Sequence, residues 1–238
     1  MSSDQILVKK PLIFATGSEI RKDIAESHGI SCEFIKSEVD EELIKLNFHG
    51  NDFDKLAIQL ATEKALTISD KNKDYFVVGV DQVCSLDEEI LNKPGNKDNA
   101  IVSLQKLSGK THHQNCGMAI CKDGKIIWQS SAIAELTMKD LTLDEIQRYL
   151  DLDEPYSCSG SYKFEENGKD LFLNVIGSEY TIQGMDIDQL IEAFYREGII
   201  WFMKDFKNKV AVITGAGSGM GRELAIELAK SGANIALA

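Results

Sequence analysis

Charged side chains that could hold a divalent cation and a phosphate follow apolar runs in the first half of the chain. Asp81 closes the run Phe-Val-Val-Gly-Val, and Lys93 stands twelve positions later on a Lys-Pro loop. A carboxylate at a strand end can hold a hard cation or take a proton from water. Glu41 lies in an acidic run that could also be a solvated loop. We interpret Asp81, Glu41 and Lys93 as candidate catalytic residues, and the two carboxylates as candidate metal ligands.

A second group of residues could bind phosphate. Thr16, Gly17 and Ser18 separate a short apolar run from a predicted helix. Backbone N–H groups at a helix N-terminus bind anions, so we expect this loop to contact phosphate oxygens. Arg21 would add a forked contact and Lys64 a point charge. The alternative for both is a solvated charge on a helix surface.

Apolar periodicity predicts a mixed α/β fold in which short strands interleave with amphipathic helices. A Lys-Asp-Gly sequence between two strand-like runs predicts a hairpin. Thr142 and Glu145 form the pattern of a capping box at a helix start. Strands are expected at 12–15, 32–36, 75–80, 111–137 (as a hairpin) and 171–176, and helices at 19–28, 53–69, 99–107, 142–150 and 187–195.

Composition limits the partners that the protein can bind. A formal net charge of −12 and a pI of about 4.8 argue against broad binding to nucleic acid or to an anionic membrane. A small phosphorylated ligand stays compatible, because a local cluster of cations can override the overall sign. The five cysteines are scattered, and neither a signal peptide nor a run of membrane-helix length is visible. We therefore expect a cytoplasmic protein, and the sequence leaves a homodimer open.

The last part of the chain, 206–238, has a different pattern. A strand-like run is followed by a glycine-rich turn, a helical run and the start of another strand. This order resembles the opening of a short-chain dehydrogenase, in which Gly215, Gly219 and Gly221 would let the backbone approach a cofactor pyrophosphate. The Tyr-x-x-x-Lys pair of that family occurs nowhere in the sequence. We expect an incomplete, truncated βαβ Rossmann-like fragment.

Residues 1–205 resemble a different family, block by block. The blocks are 15–22 (ATGSEIRK), 39–41 (VDE), 60–65 (LATEKA), 79–81 (GVD), 93–94 (KP), 108–112 (SGKTH), 159–165 (SGSYKFE) and 181–184 (TIQG). In this order they resemble the Maf family of nucleotide pyrophosphatases over about 10–200. The resemblance implies one Maf-like (inosine-triphosphatase-like) domain with a mixed central sheet. It also implies hydrolysis of a standard, non-standard or modified nucleoside triphosphate to the monophosphate and pyrophosphate, with Mg²⁺ or Mn²⁺.

Some positions depart from the Maf pattern. The chain has Glu19 and Ile20 before Arg21, where the family often has Pro-Arg-Arg, and Gln82 where many members have threonine. These differences bear on the preferred base more than on the reaction. We expect Gln82 and Glu165 to contact the base or the sugar.

Two alternative functions remain open. One is an NAD(P)-dependent short-chain oxidoreductase fragment, suggested by residues 206–238. The other is a non-catalytic nucleotide-binding regulator, suggested by Glu19 and Ile20, which would bind nucleotides without turnover. A smaller expectation concerns His112 and His113, which would point to opposite faces of a strand and so cannot share a metal. We expect one of them to be a hydrogen-bonded structural residue.

Overall fold

The computed structural model describes residues 5–203 and 209–237. The strands are β1 (Gln5–Val8), β2 (Leu12–Phe14), β3 (Glu33–Phe34), β4 (Phe76–Leu86), β5 (Glu89–Leu91), β6 (Thr111–Lys122), β7 (Lys125–Met138), β8 (Phe172–Ile176), β9 (Ile200–Met203), β10 (Val210–Ile213) and β11 (Asn234–Leu237). The helices are α1 (Glu19–Ser27), α2 (Glu41–Asn47), α3 (Phe53–Ser69), α4 (Lys97–Leu107), α5 (Leu143–Asp153), α6 (Glu179–Ile182), α7 (Ile187–Arg196) and α8 (Gly219–Lys230), with a 3₁₀ turn at Asn167–Leu171.

The central sheet is mixed, as the sequence predicts. Its strand order is β3-β2-β4-β6-β7-β8, and β5 pairs with the far end of β4. The β2 strand runs parallel to β3 and to β4, whereas the remaining pairs are antiparallel. Asp123 and Gly124 both have positive φ at the β6–β7 turn, the type I′ geometry of a tight hairpin. The predicted hairpin is confirmed.

Strand β4 is longer than predicted, and its length creates an opening beside the sheet. The short strand β2 pairs with β4 only as far as Val78, and β5 begins to pair at Cys84. Between these points one edge of β4 lacks a strand neighbour in the described part of the chain. Asp81 therefore lies in the middle of a strand rather than at its end. The extension follows from the ladder with β6, which continues from Phe76 to Ser85.

Helices cover both faces of the sheet. On one face α3 packs against β4, β6 and β7, and its buried stripe consists of the predicted residues Phe53, Leu56, Ala57, Leu60, Ala61 and Ala65. On the other face α1 and α7 bury Ile24, Leu190 and Phe194 against β2, β4 and β6. A further apolar cluster joins α4 and α5 to β7 and β8. Burial of these faces supplies the main stabilisation of the fold.

Two glycines let α3 approach the sheet closely. A Cβ atom at Gly79 would collide with the backbone carbonyl of Ala61, and one at Gly117 would collide with the backbone of Ala57. Only the absence of side chains at these two strand positions permits this separation. The next inward-facing position on β4 is Asp81, so the same close approach brings α3 against the carboxylate.

Residues 209–237 form a small β–α–β unit of their own. Strands β10 and β11 pair in parallel, with α8 between them in sequence. The predicted boundary between 1–205 and 206–238 lies outside the described residues. Each helix within 5–203 and 209–237 is too short or too polar to cross a bilayer.

Candidate active site

A cleft with two adjoining lobes opens beside the unpaired edge of β4. The inner lobe has a volume of about 390 Å³ and is lined by Asp81, Gln82, Gln114, Tyr162, Phe164 and Ile182, among others. The outer lobe, about 540 Å³, is lined by Thr16, Gly17, Lys36, Ser37 and Lys163, among others. Residues that line both lobes include Ser18, Arg21, Glu41, Lys64, Lys93 and Glu165. The structure therefore brings all the site residues predicted in 1–205 to one cleft.

The two candidate metal ligands meet at a buried lysine. Lys64 Nζ lies 2.7 Å from Glu41 Oε1 and 3.0 Å from Asp81 Oδ1. Lys64 is 9 % exposed and Asp81 is 7 % exposed, whereas Glu41 is half-buried at the junction of the lobes. The close approach of α3 to the sheet positions Lys64, and Asp40 caps α2 so that Glu41 becomes its first residue.

The charge balance at this point favours the ionised form of Glu41. Burial alone would raise the pKa of Glu41. The charge and hydrogen bond of Lys64, together with the charges of Lys93 and Lys45, lower this pKa by more than burial raises it. The net effect places the pKa of Glu41 below its usual value. Glu41 is therefore an anion at neutral pH.

The donor set fits a hard divalent cation that also binds phosphate. Asp81 Oδ2 is buried and has no hydrogen-bond partner in the described residues, so one carboxylate oxygen is unused. No group of three or more His, Cys, Asp or Glu side chains within 5–203 and 209–237 could form a cage for a metal. Mg²⁺ is usually held by one or two carboxylates together with substrate phosphates. Glu41 and Asp81 meet that requirement.

The predicted phosphate loop lies at the N-terminus of α1. Thr16 Oγ1 accepts a hydrogen bond from Ser18 N at 3.1 Å, which shapes the turn. Ser18 is the N-cap, but its side chain makes no capping bond among the described residues. The first turn of α1 thus keeps backbone donors toward the outer lobe. Lys36 and Lys163 line the same lobe and add positive charge.

Arg21 and Gln82 hold the cleft together through backbone carbonyls. Arg21 donates from Nε to Gly184 O at 2.9 Å and from Nη1 to Val80 O at 3.1 Å. Gln82 Nε2 donates to Ile182 O at 2.7 Å and to Thr181 O at 3.2 Å. Gln82 therefore joins the unpaired edge of β4 to α6, and Arg21 joins it to the turn that follows α6. Neither contact was foreseen. Both residues also line the inner lobe.

Lys93 and Glu165 reach the cleft from loops. Lys93 lies on the loop after β5, close enough to Glu41 to lower its pKa. Glu165 is exposed and lines both lobes from the loop that precedes the 3₁₀ turn. At the junction of the lobes, Lys93 therefore adds a cation and Glu165 adds a carboxylate beside Lys64 and Asp81.

Comparison with known proteins shows the family to which the chain belongs. The family described as "Maf-like protein" matches residues 11–197. The chain belongs to the Maf family. A relative from Legionella pneumophila (strain Lens), named "Nucleoside triphosphate pyrophosphatase", is 38% identical over 189 residues, which cover 79% of this chain and 94% of the relative. A "7-methyl-GTP pyrophosphatase" from Brucella abortus biovar 1 is 34% identical over 193 residues, covering 79% and 97%.

A further relative and one solved structure extend the comparison. A "Nucleoside triphosphate pyrophosphatase" from Nitrobacter winogradskyi is 32% identical over 184 residues, which cover 76% of this Maf chain and 91% of the relative. The solved structure of a HAM1 protein from Coxiella burnetii aligns with a TM-score of 0.45 at 10% identity, covering 79% and 99%. The Maf match ends before β9, so residues 209–237 fall beyond it.

The Maf cleft also contains residues that the sequence did not single out. Lys36 lines the outer lobe, and Gln183, Gln114 and Tyr162 line the inner lobe. Gln183 stands in the TIQG block and could have been chosen from it. The one feature of the sequence that could have drawn attention to Gln114 is that it is a polar residue in a strand buried on both sides. No feature of the sequence distinguished Lys36.

Proposed function

We propose that this chain is a nucleoside triphosphate pyrophosphatase, converting a nucleoside triphosphate and water to the monophosphate and pyrophosphate. The observation that carries the proposal is the meeting of Glu41, Lys64 and Asp81 at the junction of a two-lobed cleft. One lobe is rich in backbone and lysine donors, and the other in amide and aromatic groups. A nucleotide would span both, with its α-phosphate at the junction.

Asp81 is proposed as the residue that activates water or links it to the cation. Its Oδ1 is held by Lys64, while Oδ2 is buried and unpartnered in the described structure, free to take a proton. The water oxygen would bond to the α-phosphorus, and the bond from that phosphorus to the bridging oxygen would break. Pyrophosphate would leave, and the water proton would pass to the carboxylate.

Glu41 and Asp81 are proposed to hold Mg²⁺ or Mn²⁺. When bound, such a cation supplies neutralisation of charge on the phosphate oxygens. Lys93 would add positive charge beside the departing pyrophosphate, and Lys64 would keep the two carboxylates apart. This division lets the protein hold a triphosphate although its overall charge is negative.

The outer lobe is proposed to bind the β- and γ-phosphates. Thr16, Gly17 and Ser18 present the open N-terminus of α1, and Lys36 and Lys163 line the same lobe. Arg21 retains donors beyond its two backbone contacts. We propose that Arg21 holds β4 and the Gly184 turn together and, from that fixed position, also contacts a phosphate.

The inner lobe is proposed to take the nucleobase, with Gln82 and Glu165 near the base or sugar. A modified base is a reasonable substrate to include, since one relative is named a 7-methyl-GTP pyrophosphatase. The measurement that tests the function is pyrophosphate release from standard and modified nucleoside triphosphates, with Mg²⁺ or Mn²⁺. We expect Asp81→Asn to lower kcat by about a thousandfold, since a base contributes about 10²–10⁴.

The matched control is Asp87→Asn, an exposed residue at the β4–β5 turn with φ of 52°, where asparagine is well tolerated. Nucleotide binding without turnover on any substrate would instead support the regulator. Equal turnover by wild type and Asp81→Asn would remove Asp81 from the mechanism.

For the C-terminal part we propose a domain division at 1–205 and 206–238, with the second part a β–α–β unit of the dinucleotide-binding kind. Gly215 and Gly219 have positive φ, and a Cβ at Gly221 would lie 2.6 Å from Gly215 O. Tight turn and close helix packing are what such a unit requires. Fluorescence titration with NADH tests it, and a lack of binding would leave the unit without a cofactor role.

A further inference from the structure

Gln114 lines the inner lobe and has an unused hydrogen-bond acceptor. The residue is 1 % exposed, and its Oε1 has no hydrogen-bond partner in the part of the chain that the structure describes. Buried amide oxygens are nearly always paired, because an unmet acceptor costs about 1–3 kcal/mol. An unpaired one that lines a cleft therefore requires a reason.

The donor side of the same amide is already committed. Gln114 Nε2 donates to the Tyr162 hydroxyl at 2.7 Å and lies 3.5 Å from Ser159 O. The Tyr162 hydroxyl in turn meets His112 Nε2 at 2.9 Å. Burial, with a smaller effect of His113, lowers the pKa of His112 to about 4, so His112 is neutral and its Nε2 can accept a hydrogen bond from the tyrosine hydroxyl. This chain of contacts orients the amide.

The surroundings of Gln114 fit a flat, partly apolar ligand. Tyr162, Phe164 and Ile182 line the same lobe, and the Nε2 donor of Gln82 is used by backbone carbonyls. Of the Gln114 amide, only the oxygen atom is left for a ligand. A nucleobase with a ring N–H or an exocyclic amino group complements that surface.

We propose that Gln114 Oε1 accepts a hydrogen bond from an N–H group of the substrate base, which makes Gln114 a specificity-determining residue. The proposal rests on the proposed function, since it assigns the base to the inner lobe. Tyr162 and His112 are positioning residues that keep the acceptor turned toward the ligand. Bases whose N–H is blocked by methylation should therefore bind weakly.

The test measures binding rather than turnover, so that it does not depend on catalysis. Calorimetry with Mg²⁺ compares α,β-methylene triphosphates of uridine, guanosine and adenosine with their N3-methyl, N1-methyl and N6,N6-dimethyl counterparts. For the base that binds best, we expect blocking to weaken binding by about 10–100-fold in wild type, the value of one buried hydrogen bond. Pyrophosphate release from the ordinary triphosphates, assayed separately, tests the proposed function.

Two variants of Gln114 separate hydrogen bonding from steric exclusion. In Gln114→Leu the dissociation constants of the methylated and the parent nucleotide should differ by about threefold or less, because the acceptor is gone. Gln114→Glu retains an oxygen acceptor and should retain the preference. Gln105→Leu, an exposed glutamine on α4, should behave as wild type. An unchanged ratio in Gln114→Leu, or no nucleotide binding by the wild type, would overturn the proposal.

Discussion

At the scale of single residues, the position of Lys64 explains how the carboxylates of Glu41 and Asp81 can lie close together. Glu41 and Asp81 both contact its ammonium group, at 2.7 Å and 3.0 Å. Two anions confined this closely repel each other, and the lysine offsets the repulsion in the absence of a cation. If a divalent cation binds as proposed, it would take over part of this compensation from the lysine.

We predict that Lys64→Met lowers the free energy of unfolding by about 2–4 kcal/mol without divalent cation, because it leaves buried charge uncompensated. Added Mg²⁺ should stabilise this variant more than the wild type, since the cation would replace the missing positive charge. Chemical denaturation with and without Mg²⁺ measures both effects. Lys106→Met, which breaks a surface ion pair with Glu89, should cost no more than about 1 kcal/mol. Equal Mg²⁺ stabilisation of the Lys64 variant and the wild type would contradict this account.

His112 should make stability depend on pH in the acidic range. Its pKa falls from 6.5 to about 4 in the folded protein, chiefly through burial and also through His113. Between these pH values the unfolded chain binds the proton more readily, so stability falls as pH decreases from 6.5 to 4. The loss from this group approaches about 3 kcal/mol, and it is absent above pH 6.5.

The comparison of His112→Asn with His113→Asn checks this prediction. The first variant should be less stable at neutral pH but should show a shallower decline in unfolding free energy from pH 6.5 to 4. The second removes a partly exposed histidine near Glu135 and should keep the steep decline. Parallel pH profiles for wild type and His112→Asn would show that burial of His112 is not the cause.

At the scale of elements, the contact between α3 and the sheet determines the site. Gly79 and Gly117 allow the helix backbone to approach, and Lys64 on that helix then reaches Asp81. A larger residue at either glycine must displace backbone rather than a flexible side chain. Stability and catalysis are therefore coupled through one helix–sheet distance.

Gly79→Ala should lower the free energy of unfolding by about 3 kcal/mol, because the new methyl group meets the carbonyl of Ala61. Displacement of α3 by about 1 Å should also reduce kcat by about a hundredfold. Denaturation curves and pyrophosphate release measure the two effects. Gly217→Ala is the control, since its Cβ would meet no described atom within 4 Å and φ there is not positive. A fully active, fully stable Gly79→Ala protein would show that the contact can relax without consequence.

Local sequence patterns predicted those helices and strands whose ends are determined by neighbouring residues. The helix Phe53–Ser69 has the predicted limits, because its apolar stripe and flanking polar residues are both local. The capping box of Thr142 and Glu145 is confirmed as well. In contrast, β1 and β9 were missed, because these strands pair with each other across almost the whole chain. The helix that begins at Glu41 was not predicted, although Asp40 is a good N-cap; a solvated loop was only the alternative to a functional role for this acidic run.

The site was predictable to the extent that it consists of charges in recognisable blocks. Glu41, Lys64 and Asp81 were chosen from sequence, and the structure brings their side chains into contact. The carbonyl contacts of Arg21 and Gln82 could not be foreseen, since they depend on how α6 and the turn after it fold against β4. Which atom of a buried amide stays unpaired is likewise a property of packing, not of spacing.

At the scale of the whole molecule, the negative net charge is compatible with a local cluster of cations in the cleft. Lysines at 36, 64, 93 and 163 and an arginine at 21 converge on the two lobes, while the chain as a whole carries a formal charge of −12. Local field, not net charge, governs a small ligand inside a cleft. The surplus of surface carboxylates instead disfavours extended polyanions such as nucleic acid.

The two parts of the chain should also be separable in function. The cleft is lined by residues between Ala15 and Gln183, and the Maf match ends at residue 197. A chain that ends at residue 207 keeps β9 and its pairing with β1. We predict that its kcat/KM for pyrophosphate release stays within about twofold of the full chain, since distant and independent parts contribute additively. If the shortened protein folds but loses its activity, the strands and helix of 209–237 must support the cleft directly, and the proposed domain division is wrong.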